Sequence, residues 1–221
     1  VLVVTYTVPD DTEPRPDLGD APDSSNNLGL NNVAYLDGTL GRFPTVFQVT
    51  PAGQPVGPRH ANILAGGFLG DYISREIEAD SGADQDGVNN ILGGGPLVSN
   101  RDRGDDGWRN PNANFTNCLR TTLRVRVRRP ANGAIARMYL NSWIDGNHDG
   151  DWADNNICQP GGEGANRAST EWIVRNHSVD MTAIPAGSFV DIDVNTEFVL
   201  NTSPNAAHWA RFTLAETPVI P

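Results

Sequence analysis

Short apolar runs, several of them alternating strictly with polar residues, mark six segments that predict β-strands. The clearest segment is 123–129, where Leu123, Val125 and Val127 alternate with arginines at 124, 126 and 128. The others are 1–8, 135–145, 171–181, 189–200 and 209–214, with a turn at 183–187. We therefore expect an all-β chain, folded as an antiparallel, jelly-roll-like β-sandwich.

The segments between the strands divide the chain into three parts. Residues 1–8 form an isolated strand, residues 9–23 are a linker and domain opening rich in Pro and Asp, and residues 24–221 form the sandwich domain. Within the domain, 61–70 favours a short helical turn, and 71–108 is an acidic, glycine-rich loop system. Loops of that length are usually functional or disordered.

The charge balance restricts the partners of the chain. The 221 residues carry a formal charge of −11, and all 16 basic side chains are arginines. Such a surface disfavours nucleic acid and anionic membranes and favours cations. No apolar run of 18 residues predicts membrane insertion.

Several features predict a secreted protein. Cys118 and Cys158 are the only two cysteines and are compatible with one disulfide, although two free buried thiols are the alternative. Asn114, Asn176 and Asn201 each begin a glycosylation tripeptide. Since the first residue is Val and not Met, we expect a processed chain or a fragment. An extracellular or cell-surface location follows from these features together.

The sharpest chemical motif is the acidic loop IDGNHDGDWADN. Its alternating oxygen side chains, followed by a glycine, match the start of an EF-hand calcium loop: Asp145, Asn147, Asp149 and Asp151, with Gly150. The position of the usual bidentate glutamate is Asn156, so Asp154 is expected to replace that ligand. We predict weak calcium binding, in the range of about 10⁻⁴–10⁻³ M typical of extracellular modules. A solvated acidic hairpin is the alternative.

A second acidic group predicts a further calcium site, because closely packed carboxylates repel one another unless a cation lies among them. Its expected ligands are Glu78, Asp80, Asp86 and Asp20, with Glu76, Asp84, Asp17 and Asp23 nearby. The alternative is a solvated loop.

No catalytic signature emerges, and we expect no enzyme. The sequence lacks the serine-hydrolase, zinc-protease, phosphate-loop and dinucleotide motifs. Its histidines lie at no zinc spacing: His60, His148, His177 and His208. A glycan-cleaving enzyme would need two carboxylates facing each other across a cleft.

The arginines of 123–129 have two interpretations. Arg124, Arg126 and Arg128 either pair with carboxylates of their own chain or form a docking surface for an acidic face of another copy.

The motifs DLGDAPDS, PRHANI, LGDYISREIEADSGADQDGV, YLNSWIDGNHDGDW, AIPAG and WARFTL occur in the order seen in the GEVED domain, which this chain resembles from Asp17 to Leu214. The family is a calcium-associated β-domain of large secreted and surface proteins of bacteria. The resemblance implies a binding or structural module with acidic ligands at Asp145, Asn147, Asp149 and Asp151. It implies no catalysis.

This chain departs from the family in two ways. A cysteine-bearing insert follows the acidic loop, and no closing strand follows the ARF strand. The apolar face of 1–8 (Leu2, Val4, Tyr6 and Val8) suits the missing strand. If another copy supplies it, subunits assemble by donor-strand complementation into a homopolymeric filament. If the strand folds back, the chain is a monomeric calcium-binding adhesin or carbohydrate-binding surface module. That module would present exposed tryptophans in one groove to a glycan.

Overall fold

The structure is a computed structural model, and it describes residues 21–24, 31, 33–44, 65–73 and 107–220. The predicted strand 1–8 and most of the linker 9–23 lie outside the described residues. So does most of the predicted loop system 71–108. The described part is an all-β fold of antiparallel sheets, as the sequence predicts.

Eight strands and one short 3-10 helix, Met181–Ala183, are described. The strands are β1 (Phe68–Leu69), β2 (Thr122–Arg128), β3 (Arg137–Ile144), β4 (Asn155–Ile157), β5 (Ala168–Thr170), β6 (Trp172–Asp180), β7 (Phe189–Asn195) and β8 (Ala210–Ala215). One sheet has the order β1-β2-β7 and a second has the order β6-β3-β8, while β4 and β5 form a separate pair.

The core lies between the two three-stranded sheets. Leu123, Val125 and Val127 of β2 are fully buried, and they belong to one cluster with Met138 and Leu140 of β3. The strict alternation along β2 places the arginines on the opposite face. Each fully buried aliphatic side chain stabilises the fold by about 1.5–3 kcal/mol, so this cluster is the main source of cohesion.

Most predicted strands in the described part are confirmed, with differences at their ends. The predicted strand 189–200 leaves its sheet after Asn195, because Thr196 N donates to Thr121 O whereas Glu197 N donates to Ile173 O of the other sheet. Phe68 and Leu69 form β1, where the sequence favours a helical turn. The short strands β4 and β5 are absent from the sequence-based prediction.

The arginines on the outer face of β2 pair within the chain. Arg124 contacts Asp193 and Arg126 contacts Asp191, each through two hydrogen bonds of 2.7–2.9 Å. Arg126 and Arg128 also share Asp71, with contacts of 2.9 and 2.6 Å. The hydrogen bonds from Arg126 lower the pKa of Asp191 below its usual range. These contacts confirm the interpretation that the arginines pair with carboxylates of their own chain. Their role as a docking surface for another copy stays a prediction.

A disulfide joins Cys118 to Cys158, as the cysteine count predicts. It connects the loop before β2 to the residue after β4, and 40 positions separate the two cysteines. In the chain-entropy account, closing a loop of this length stabilises the folded state by about 4 kcal/mol.

We expect the double variant Cys118→Ala, Cys158→Ala to fold with a lower thermal midpoint. The expected loss of about 4 kcal/mol corresponds to a fall of roughly 8–16 °C for a domain of this size. Differential scanning calorimetry of the oxidised wild type and the variant measures the change. Equal thermal midpoints would show that the disulfide does not stabilise the folded state.

Candidate metal-binding loop

Residues 145–154 join β3 to β4, and a buried carboxylate organises this loop. Asp145 has no exposed surface. Its Oδ1 accepts from His148 N at 2.7 Å, and its Oδ2 accepts from Gly150 N at 2.9 Å. Tyr35 donates its hydroxyl to the same Oδ2 at 2.9 Å. Asp145 therefore acts as the internal scaffold of the turn.

A second buried carboxylate, Glu171, fixes both ends of the same loop. It lies between β5 and β6, and its Oε1 accepts from Gly146 N at 2.9 Å. Its Oε2 accepts from Asp154 N at 3.1 Å. Since breaking either bond would leave a buried polar group without a partner, the loop is held at entry and exit.

Close packing and backbone conformation explain the two glycines of the loop. Gly150 has a φ of +93°, and a Cβ there would collide with Leu40 O. At Gly146, a Cβ would collide with Leu200 O. Both positions require the absence of a side chain.

Three carboxylates converge on the outer side of the loop. Oxygens of Asp149, Asp151 and Asp154 all lie within 4.8 Å of one another. The Asn147 amide nitrogen lies among them, 3.1 Å from Asp149 Oδ2 and 2.6 Å from Asp154 Oδ2. The three carboxylates form a cluster of hard oxygen ligands that could hold a metal ion.

Crowding and burial raise the pKa of several acids at the loop. Contact with the Asp149 carboxylate raises the pKa of Asp154. Burial raises the pKa of Asp145, and it raises the pKa of Glu171 to about 8. Each shift reflects the cost of placing a negative charge near others or away from water, and a cation would offset this cost.

An aromatic layer supports the loop from within. Tyr35 stacks on His148 with ring centroids 4.0 Å apart, and its hydroxyl accepts from Trp209 N at 3.2 Å. His148 Nε2 lies 3.0 Å from His208 Nδ1. Burial lowers the pKa of His208, which favours its neutral form. Tyr35 thus connects residues 33–44 to the loop and to Trp209, the residue before β8.

The structure brings together some of the predicted ligands but not all of them. Asp149, Asp151 and Asp154 converge, which includes the predicted replacement ligand. Asp145 instead uses its carboxylate within the turn, and Asn147 presents its amide nitrogen to the carboxylates. The second predicted site, with ligands Glu78, Asp80, Asp86 and Asp20, lies outside the described residues.

Two residues on which the loop depends, Tyr35 and Glu171, are absent from the ligands and contacts predicted from the sequence. Tyr35 is 110 positions from its partner Asp145, so no local pattern connects them. Glu171 offered one weak signal, because it is a charged residue beside Trp172 at the start of an apolar strand.

The tryptophans form no exposed groove. Trp172 and Trp209 are buried and the other three are half-buried. Trp143 stacks on Trp172 at 5.5 Å between centroids, and Trp152 stacks on Phe43 at 4.3 Å. The arrangement that a carbohydrate-binding module would favour is therefore not seen.

In two of the three glycosylation tripeptides, the asparagine side chain is already hydrogen-bonded to the backbone. Asn176 Nδ2 donates to Val219 O at 2.9 Å, and Asn201 Nδ2 donates to Phe115 O at 2.6 Å. Asn114 is exposed. Of the three, it is the position at which a modifying enzyme would meet an accessible amide.

Comparisons with known proteins returned no matching family model, no matching curated protein and no matching solved structure. Within residues 21–24, 31, 33–44, 65–73 and 107–220, no helix is long and apolar enough to cross a membrane.

We expect the variant Glu171→Gln to flatten the dependence of stability on pH when a chelator removes metal. The pKa of Glu171 is about 8 in the folded chain and 4.5 ordinarily, so its contribution is complete below pH 4.5 and lost as pH rises towards 8. Between pH 5 and pH 8, the thermal midpoint of the wild type should fall relative to that of the variant by roughly 5–15 °C.

Thermal melts of both proteins across this range measure the effect, and Glu163→Gln is the control because Glu163 is exposed. Burial also lowers the pKa of His208, but this residue is present in all three proteins, so its effect on stability cancels in the comparison. Parallel midpoint curves for the wild type and Glu171→Gln would contradict the raised pKa.

Proposed function

We propose that this chain is an extracellular structural subunit, stabilised by calcium, that assembles with copies of itself into a surface filament by strand donation. The observation that carries the metal part is the convergence of three carboxylates on a loop held by buried Asp145 and Glu171. The assembly part rests on the apolar alternation of Val1–Val8.

The donor set favours calcium over other ions. Asp149, Asp151 and Asp154 offer only oxygen, whereas zinc prefers nitrogen and sulfur ligands. Magnesium needs near-ideal octahedral geometry, but calcium accepts six to eight oxygens in a flexible shell. Water would complete that shell, and the amide oxygen of Asn147, which now accepts from Asp149 N, could join it only after the amide rotates. Because these three carboxylates are partly exposed, the expected affinity is modest.

Calcium should raise the thermal midpoint, because a ligand that binds only the folded state stabilises it. With a dissociation constant of about 10⁻⁴–10⁻³ M, an excess of calcium near 10 mM should add about 1.4–2.7 kcal/mol. That corresponds to roughly 3–10 °C. The triple variant Asp149→Asn, Asp151→Asn, Asp154→Asn should lose the shift.

The control for this experiment is Glu163→Gln, which changes an exposed carboxylate outside the loop and should keep the full shift. Calorimetry with calcium, magnesium and chelator compares the ions. A calcium shift of equal size in the wild type and in the triple variant would show that calcium binds at another site. If calcium does not shift the midpoint of the wild type, the proposal that calcium stabilises the folded chain is wrong.

The segment Val1–Val8 has the chemistry of a strand that must be covered. As a strand, the segment would present Leu2, Val4, Tyr6 and Val8 on one apolar face, and burying four such side chains would be worth roughly 6–12 kcal/mol before ordering costs. The sequence of the following segment, with prolines at 9, 14 and 16, is typical of a stiff linker that disfavours folding back. An uncovered apolar strand would promote aggregation, so an acceptor is required.

The disulfide supports an extracellular location, because such bonds persist in oxidising compartments. The packed tryptophans do not favour the monomeric carbohydrate-binding module. Folding back of the strand onto its own domain is therefore the main competing arrangement, and a measurement of mass separates the two.

In calcium, the full chain should form particles much larger than its 23.8 kDa mass, and a version without residues 1–8 should be monomeric. Donation requires the strand, so its removal leaves no link between copies. Light scattering after size exclusion measures both masses. A monomeric full chain that merely loses thermal stability on truncation would show that the strand serves its own domain.

A further inference from the structure

The outer edge of β7 is a continuous strand edge without a partner in the described residues. β7 pairs with β2 along seven positions, from Phe189 opposite Arg128 to Asn195 opposite Thr122. No described strand pairs with its other side. It is therefore a terminal strand of its sheet and offers a template for one more.

The hydrogen bonds at the two ends of the β2–β7 pair define which backbone groups face outward. Arg129 N donates to Ser188 O at 2.9 Å, and Thr196 N donates to Thr121 O at 2.9 Å. The even-numbered residues of β7 therefore bond to β2, and alternate residues turn outward. Those outward residues are Phe189, Asp191, Asp193 and Asn195. Among the described residues, none of their backbone groups is hydrogen-bonded to another backbone group outside the β2–β7 ladder.

An apolar groove lies beside this edge. A cavity of about 270 Å³ opens between β6 and β7, next to the 3-10 helix. It is lined by His177, Ser178, Val179, Asp180, Ala183, Ile184, Val190 and Ile192. Val190 lies on the face of β7 that points to the core, yet it is 38% exposed, while Val194 further along is 2% exposed. The sandwich is therefore incompletely covered at this end.

The β7 edge lacks the devices that usually prevent strand addition. It contains no proline, and it is a regular seven-residue strand. Its two carboxylates are already neutralised by Arg124 and Arg126. Exposed Phe189 and Val190 add apolar surface. An unprotected, regular edge of this kind indicates a site of pairing.

The edge of β6 on the other side of the groove is a poorer template. Its pairing with β3 is irregular between Leu140 and Ser142, and Asn176 has a φ of +48°. The Asn176 side chain also exchanges two hydrogen bonds with the backbone of Val219. These features interrupt the row of backbone groups that an added strand would need.

We infer that the β7 edge and its groove accept Val1–Val8 of a second copy of this chain. The inference rests on the proposed function, which requires an acceptor, and it names that acceptor. The eight residues are long enough to span the seven of β7, and the segment has no charged side chain to oppose the neutralised ladder beside it. Leu2, Val4, Tyr6 and Val8 would face the groove over Val190 and Ile192.

Two complementary chains test the inference. The variant Val190→Lys keeps the donor strand but places a charge in the acceptor groove, and the chain lacking residues 1–8 keeps only the acceptor. Each should be monomeric in calcium by light scattering. Mixed together, they should form a dimer of about twice the 23.8 kDa chain mass. The control is Ile157→Lys, at an apolar position that is 58% exposed and outside the groove, and it should assemble like the wild type.

The outcomes separate this inference from the proposed function. If Val190→Lys assembles like the wild type while the truncated chain does not, the strand is donated to another site and only the inference fails. If the mixture stays monomeric, the β7 edge is not the acceptor of the donated strand. If wild type and Ile157→Lys are both monomeric, the proposed function fails and the inference fails with it. Thermal melts of both lysine variants verify that they fold.

Hydrogen exchange provides a second readout on the backbone itself. In assembled wild type, the amides of Phe189, Asp191, Asp193 and Asn195 should exchange more slowly than in the truncated chain, because the donated strand would accept from them. Equal protection in both chains would mean that Val1–Val8 does not pair with β7.

Discussion

The burial of two carboxylates beneath one loop is the constraint on which the candidate site depends. Asp145 and Glu171 are fully buried, and between them they accept four backbone N–H groups of the loop. Burying such groups is costly unless each is hydrogen-bonded, so the turn that satisfies them is strongly specified. The turn displays the outer acids together, and two of them add to it: Asp149 accepts from Asp151 N, and Asp151 accepts from Ala153 N.

Buried Asp145 also joins distant parts of the chain through its partner Tyr35. Tyr35 donates to Asp145 and accepts from Trp209, whose indole N–H donates to Ala34 O at 2.8 Å. The loop, residues 33–44 and β8 thus form one unit at one end of the sandwich. The β7 edge belongs to the other sheet and includes no residue of this unit. The candidate metal site and the proposed pairing edge therefore lie on separate surfaces.

Local patterns explain what could be predicted from the sequence. The alternation of Leu123, Val125 and Val127 predicts β2 because one buried face needs a period of two. The spacing of the acids predicts the loop because a tight turn makes alternate side chains converge.

What could not be predicted depends on contacts between distant segments. The role of Asp145 as scaffold requires Tyr35, far away in the sequence. The three residues of β4 are all exposed, so no apolar signal marks that strand. Phe198 and Val199 are buried, but the chain there crosses between sheets and forms only one isolated bridge, Thr170 to Val199.

An electron cryomicroscopy structure of particles assembled in calcium would show how the subunits are joined. We expect an eight-residue strand from the neighbouring subunit, hydrogen-bonded along the outer edge of β7, and an ion among Asp149, Asp151 and Asp154. Density that places Val1–Val8 against its own domain, or subunits joined through another surface, would contradict it.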